Sequence, residues 1–144
     1  FGATAPLMAW IQLTGRISHP GILLALAGLF WATAYDLIYA VADLPDDRLA
    51  GIRSGAVTFG GSLWAVFLFF SALAAFLLGV AGRSLPQSGW LILSLVLFLS
   101  ATVWQSLKLR AGLTGEEPLR LFRSHAVLGA LVLAGFWTSS PTLV

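Results

Sequence analysis

Four of the six carboxylates in this 144-residue chain fall between positions 36 and 47. They are Asp36, Asp43, Asp46 and Asp47, in the run YDLIYAVADLPDDRLAGIRSGAVTFG over residues 35–60. On a helix advancing about 100° per residue, Asp43 lies about 20° from Asp36, and Asp47 about 20° to the other side. Asp36, Tyr39, Ala40, Asp43 and Asp47 share one face for as long as that helix continues. Pro45 is the residue able to bend or restart it between 43 and 47. Carboxylates gathered in this way repel one another and are costly beside lipid. Magnesium suits such a place, because it takes one or two carboxylates and fills its octahedron with water and substrate phosphate oxygens. Asp43 and Asp47, one turn apart, are the candidate metal ligands, and a diphosphate with a hydrophobic tail is the matching ligand. Two other readings of the same residues stand beside this one. Asp46 and Asp47 could pair with Arg48 or Arg53 in a solvated loop. Alternatively, Asp36, a carboxylate within an apolar span, could be the cation or proton site of a transporter.

The elements that must position these acids are membrane helices. Hydrophobic residues make up 58% of the chain and charged residues 10%, against about 25% charged in soluble domains. That composition excludes a water-soluble globular domain, and equally a disordered chain, which is poor in apolar residues. A net charge of +2 comes from scattered basic residues and gives no basic stripe for nucleic acid. There is no cysteine, so disulfides, thiolate metal sites and cysteine nucleophiles are excluded. His19 and His125 are too far apart in sequence to read as a metal-spaced pair, which leaves oxygen ligands and hard ions. The first apolar stretch has no basic segment before it and reads poorly as a signal peptide. It reads instead as a chain that begins inside or beside a membrane helix.

A helix needs about 20 apolar residues to cross a bilayer. Charge-free gaps locate five spans, a short one at 1–15 and four near 21–42, 62–81, 89–107 and 122–140. The expected fold is all-α and integral to the membrane, a single membrane domain over 1–144. The loops at 43–60 and 108–123 carry Arg48, Arg53, Lys108, Arg110, Arg120 and Arg123, whereas the opposite side carries only Arg16 and Arg83. The positive-inside rule puts the acid-bearing loop in the cytoplasm. Most Trp residues sit near span ends as interfacial anchors; Trp31 is the exception, near the middle of its span.

The residues around the acids sharpen the picture. Ala34-Tyr35-Asp36, Tyr39-Ala40, Asp43, Asp46-Asp47 and Gly51-Ile52-Arg53-Ser54 together resemble the second aspartate-rich motif of the UbiA-type membrane prenyltransferases. The resemblance is greatest to the 4-hydroxybenzoate polyprenyltransferase branch, whose pattern runs YDxxYAxxDxxDDxxxGxKS. Arg53 stands at the Lys position, which keeps the cation though not its geometry, and Gly55 stands where Thr is usual. The resemblance implies a helical bundle around a cavity open to the cytoplasmic side. It implies magnesium-dependent transfer of a polyprenyl group from polyprenyl diphosphate to the ring of an aromatic acid, 4-hydroxybenzoate, in ubiquinone biosynthesis. Carried over by match, Asp43 and Asp47 hold magnesium-diphosphate, Asp46 is an auxiliary acid in substrate binding, and Arg53 faces diphosphate oxygens. Asp36 and Tyr39 line the cavity, and Asp36 is the candidate base for the ring proton or the group that orients the phenol.

The family's other aspartate-rich motif, of NDxxDxxxD type, has no counterpart here, and the chain contains no Asn. The resemblance therefore implies the C-terminal half of an enzyme, inactive alone, in a bacterial inner membrane. A UbiA relative with another aromatic acceptor, a cation-coupled transporter fragment and a membrane assembly subunit are the rival readings. His125 reads as an interfacial histidine with a backbone partner. Lys108, Arg110, Arg120 and Arg123 read as topology signals, and Phe67, Phe69, Phe70 and Phe76 as either a path for the prenyl tail or a lipid face.

Overall fold

The computed structural model describes residues 2–85 and 88–139. Among the described residues seven α-helices run in the order α1 (Thr4–Thr14), α2 (His19–Ala42), α3 (Leu44–Ala50), α4 (Gly55–Phe59), α5 (Leu63–Ala81), α6 (Ser88–Ala111) and α7 (Glu117–Ser139), and a 3₁₀ turn at Gly60–Ser62 joins α4 to α5. Four segments are long and apolar enough to cross a membrane: His19–Ala42, Gly55–Ala81, Gly89–Ala111 and Glu117–Ser139. The chain is thus a membrane-embedded helical protein, with four such spans among the described residues where five were expected. The expected span over 1–15 is the 11-residue α1. At 1.5 Å per residue it reaches about 16 Å, short of the roughly 30 Å hydrocarbon core. Its apolar run is longer than its helix because Gly15 adopts a left-handed conformation, φ 70°, and returns its N–H to the Ile11 carbonyl, closing the helix in the usual glycine manner.

The long helices form a closed ring of neighbours. α2 packs along α5, α5 on α6, α6 on α7, and α7 returns to α2, while α1 lies against α2. Two apolar clusters fill the interior. One contains Ala27, Leu78, Leu91, Leu95, Phe98, Leu128 and Val132. The other, towards α3 and α4, contains Ala34, Leu37, Ile38, Ala56, Leu63, Phe67 and Leu121. Lipid tails are as apolar as these side chains, so helix association rests on close packing and interhelical hydrogen bonds. Both are present. Gly135 on α7 sits directly against Ser94 and Leu91 of α6. Ser139 Oγ accepts the Leu91 N–H at 3.1 Å, tying the end of α7 to the start of α6. Ser106 Oγ donates to the Trp64 carbonyl at 3.2 Å, tying α6 to α5. Among the described residues no buried side-chain polar atom lacks a partner.

The phenylalanines of α5 divide by burial. Phe67 is in the core, Phe70 stacks on Phe30 of α2 at 5.8 Å, and Phe69 and Phe76 are exposed on the outer face.

Candidate functional site

The acidic segment is built around a helix break. α2 ends at Ala42, Asp43 caps it in a bridge-like conformation (φ −84°, ψ −5°), and α3 starts at once with Pro45 in its first turn. Proline lacks the N–H that a continuous helix needs and is accommodated where a helix begins. The turn is nevertheless still helical in register, because Asp47 donates its N–H to the Asp43 carbonyl at 2.9 Å. Asp43 and Asp47 therefore lie one turn apart, as their spacing predicts. Asp46 and Asp47 occupy the first turn of α3, where the helix dipole favours negative charge.

Gly51 ends α3 at φ 69°. Its N–H bonds to the Arg48 carbonyl at 3.4 Å and the Ile52 N–H bonds to the Asp47 carbonyl at 2.9 Å, the paired arrangement of a Schellman turn. A side chain at Gly51 would strain that turn. The turn leads into an exposed Arg53 and then α4, which Ser54 caps by accepting the Val57 N–H at 3.5 Å.

The neutralised-loop reading does not hold. Among the described residues the single ion pair is Lys108 with Glu117, at 3.7 Å, so neither Arg48 nor Arg53 pairs with Asp46 or Asp47. Nor do three His, Asp or Glu side chains come together among the described residues as a metal-holding group. The segment offers two unpaired carboxylates one turn apart. Two hard oxygen donors are what a magnesium ion takes from a protein when substrate and water supply the rest, so the donor set fits that ion.

Asp36 and Tyr39 lie in the last two turns of α2, both exposed. Tyr35 and Tyr39, four residues apart on one face, both meet Phe122 of α7 edge-on, with ring centroids 5.6 Å and 5.2 Å away. Between α2 and α7 lies an open cavity of about 470 Å³ lined by Tyr35, Phe122, Arg123, His125 and Ala126. The end of α6 reaches the same end of the bundle. There Arg110 lies over the Trp64 ring at 5.1 Å, and Arg48, Trp64 and Arg110 share a hollow of about 300 Å³.

His125 corrects the sequence reading. It is buried, and its partners are side chains where a backbone partner was expected: Trp31 Nε1 donates to Nδ1 at 2.9 Å, and Nε2 meets Gln105 Oε1 at 3.0 Å. The sequence did carry a signal for this. Trp31 stands in mid-span, away from the interface, and a buried indole N–H needs an acceptor. Gln105 is a second polar group within an apolar helix.

Comparison with known proteins places the chain in a family. The model of the UbiA prenyltransferase family matches residues 1–137. The chain is 34% identical to a 4-hydroxybenzoate octaprenyltransferase of Nitrosomonas eutropha over 89% of its own length and 44% of the relative's. It is 35% identical to a 4-hydroxybenzoate octaprenyltransferase of Stutzerimonas stutzeri, over 89% and 43%. With a 4-hydroxybenzoate solanesyltransferase of Synechocystis it shares 32% identity over 91% and 45%. The chain thus spans less than half the length of each of these relatives. No solved structure matches it. On the family match over nearly its whole length, the chain belongs to the UbiA prenyltransferase family.

Proposed function

We propose that this chain is the C-terminal half of a magnesium-dependent aromatic polyprenyltransferase. It moves a polyprenyl group from polyprenyl diphosphate to the ring of 4-hydroxybenzoate, a step towards ubiquinone, at the cytoplasmic face of a bacterial inner membrane. The observation that carries the reading is the unpaired Asp43–Asp47 turn at the end of α2, in a chain of the UbiA family. The relatives' names supply the acceptor: each names 4-hydroxybenzoate. Family membership also sets aside the transporter and assembly-subunit readings.

Asp43 and Asp47 are the residues that would hold magnesium together with the diphosphate. Magnesium, when bound, supplies a Lewis acid that offsets charge on the departing diphosphate. Arg53 faces the diphosphate oxygens, and Asp46 adds a second polar contact beside them. The C–O bond to the allylic carbon breaks, and diphosphate leaves with the electron pair. Aromatic faces at Tyr35, Tyr39 and Phe122 favour the positive charge that develops on that carbon. The phenol ring then forms the new C–C bond, and Asp36 accepts the ring proton or orients the phenol. The exposed phenylalanines of α5 face the lipid phase that the prenyl tail shares.

The test is transfer of a radiolabelled prenyl group in membranes containing the protein extended upstream, with a panel of aromatic acids. Magnesium-dependent product with 4-hydroxybenzoate is the expected result. Product only with another acceptor overturns the substrate assignment, and none with any acceptor overturns the enzyme. Arg53 gives a graded check. Arg53→Ala should lower kcat/KM by about 10²-fold, the worth of a hydrogen bond to a charged group. Arg53→Lys, which restores the family's usual residue, should stay within about threefold of wild type. Equal losses in both variants contradict a simple charge role.

A further inference from the structure

The feature that the proposed reaction leaves unused is a chain of side-chain hydrogen bonds inside the bundle. Trp31 of α2 donates to His125 Nδ1 at 2.9 Å, and His125 Nε2 meets Gln105 Oε1 of α6 at 3.0 Å. Gln105 Nε2 then donates to Ser124 Oγ at 3.0 Å, and Ser124 Oγ donates to the Leu121 carbonyl at 2.6 Å.

Its proton order follows from its ends. An indole N–H can only donate, so His125 Nδ1 must be the unprotonated nitrogen. The imidazole proton therefore sits on Nε2 and is given to Gln105 Oε1. That fixes the Gln105 amide with its NH₂ towards Ser124, whose own hydrogen goes to a carbonyl that can only accept. Every donor points the same way along the chain, and three helices are joined by it. In a membrane interior an ionisable side chain is costly and by default functional, and a polar network there is useful only when every member is satisfied. This one is satisfied throughout. Both imidazole nitrogens are occupied, so His125 has neither a lone pair for a proton or metal nor a free N–H for substrate.

What His125 does is set a wall. Its ring lies 5.7 Å from Tyr35 and 6.2 Å from Phe67, perpendicular to the latter. It also lines the cavity with Tyr35, Phe122, Arg123 and Ala126. Tyr35 is the residue before Asp36, and Trp31 lies one turn earlier on α2.

We propose that His125, held as a single Nε2–H tautomer by Trp31 and Gln105, is a positioning residue. It locks α7 onto α2 and α6 so that the Tyr35–Phe122 wall stands in fixed relation to the acidic end of α2. This inference rests on the prenyl-transfer reading above. Its consequence is a split in the kinetics. A loosened wall misplaces the reacting carbons while the diphosphate remains held by Asp43, Asp47 and Arg53.

His125→Phe keeps the ring and removes both nitrogens. It should lower kcat per folded molecule by about 10- to 10²-fold, the range expected for a small misplacement of reactants, and leave the KM for polyprenyl diphosphate nearly unchanged. His125→Asn places an amide oxygen where Nδ1 accepts from Trp31 and should recover part of the loss. Folded protein is counted in each case by monodisperse yield and thermal unfolding. A readout independent of activity is the ¹⁵N spectrum of the imidazole in the same protein. Wild type should give one Nε2–H form with a hydrogen-bonded Nδ1, and Trp31→Phe should shift the Nδ1 resonance.

An Nδ1–H form, or no response to Trp31→Phe, overturns the network. Active wild type with an unchanged kcat in His125→Phe overturns the positioning role. An inactive wild type overturns the prenyl-transfer reading and this inference with it, a failure distinct from the other two.

Discussion

Asp43→Ala and Asp47→Ala are each expected to abolish magnesium-dependent prenyl transfer, with a loss of roughly 10³-fold or more in kcat/KM. That corresponds to about 4 kcal/mol of transition-state stabilisation, within what a metal clamp on a leaving group supplies. The two positions are separated by one turn that the Asp47 N–H to Asp43 carbonyl bond keeps helical, and no arginine neutralises Asp47. Asp46 shares the first turn of α3 but stands off the Asp43–Asp47 spacing, so Asp46→Ala should cost far less, about tenfold. Equal losses at all three positions would point to general negative charge and not to ligand geometry. The comparison is made by initial rates in membranes with protein levels matched by immunoblot.

The second large effect is on folding. A Cβ added at Gly135 meets Ser94 Oγ, lies 2.8 Å from Ser94 Cβ and comes within 3.3 Å of the Leu91 Cα. The Leu91 Cα belongs to a helix backbone and cannot rotate aside. Ser94 is itself committed, donating to the Leu91 carbonyl at 2.8 Å. α7 would therefore have to move off α6, stretching the Leu91 N–H to Ser139 bond one turn beyond. Gly135→Leu should cost about 3 kcal/mol, the upper end for overpacking, with Gly135→Ala somewhat less. Gly129→Ala is the control, since a Cβ there makes ordinary contact with Trp31 at 3.7 Å. Thermal unfolding in one detergent should rank Gly129→Ala nearest wild type and Gly135→Leu lowest. Gly135→Leu unfolding with wild type would show that the close α6–α7 approach is not needed.

Much of this was legible in the sequence because the bilayer imposes it. The four long helices coincide with long apolar stretches that carry few charges, since charge is what a span cannot carry cheaply. The break at Asp43 could be read from Pro45, whose constraint is local. α1 is shorter than its apolar run, because Gly15 closes the helix at Thr14, a conformational event that hydropathy over 1–15 does not see.

The acidic turn was readable in spacing but not in partners. Sequence allowed Asp46 and Asp47 to pair with Arg48 or Arg53. The Schellman turn at Gly51 instead carries Arg53 into an exposed position. His125 was the larger miss. Its sequence neighbours suggest a backbone partner, whereas Trp31, its actual partner, is 94 positions away, and only the closure of α7 onto α2 brings them together. The mid-span indole was the visible trace of that contact.

The most direct test of the metal site uses Mn²⁺ as a spectroscopic stand-in for magnesium. Electron paramagnetic resonance of the protein extended upstream, in nanodiscs, would measure bound Mn²⁺ with and without a non-hydrolysable polyprenyl diphosphate analogue. Protein-bound Mn²⁺ that requires the analogue, and is lost in Asp43→Asn/Asp47→Asn, is the predicted result. Binding of the same strength in wild type and in the double variant would contradict the assignment of this turn as the metal-diphosphate site.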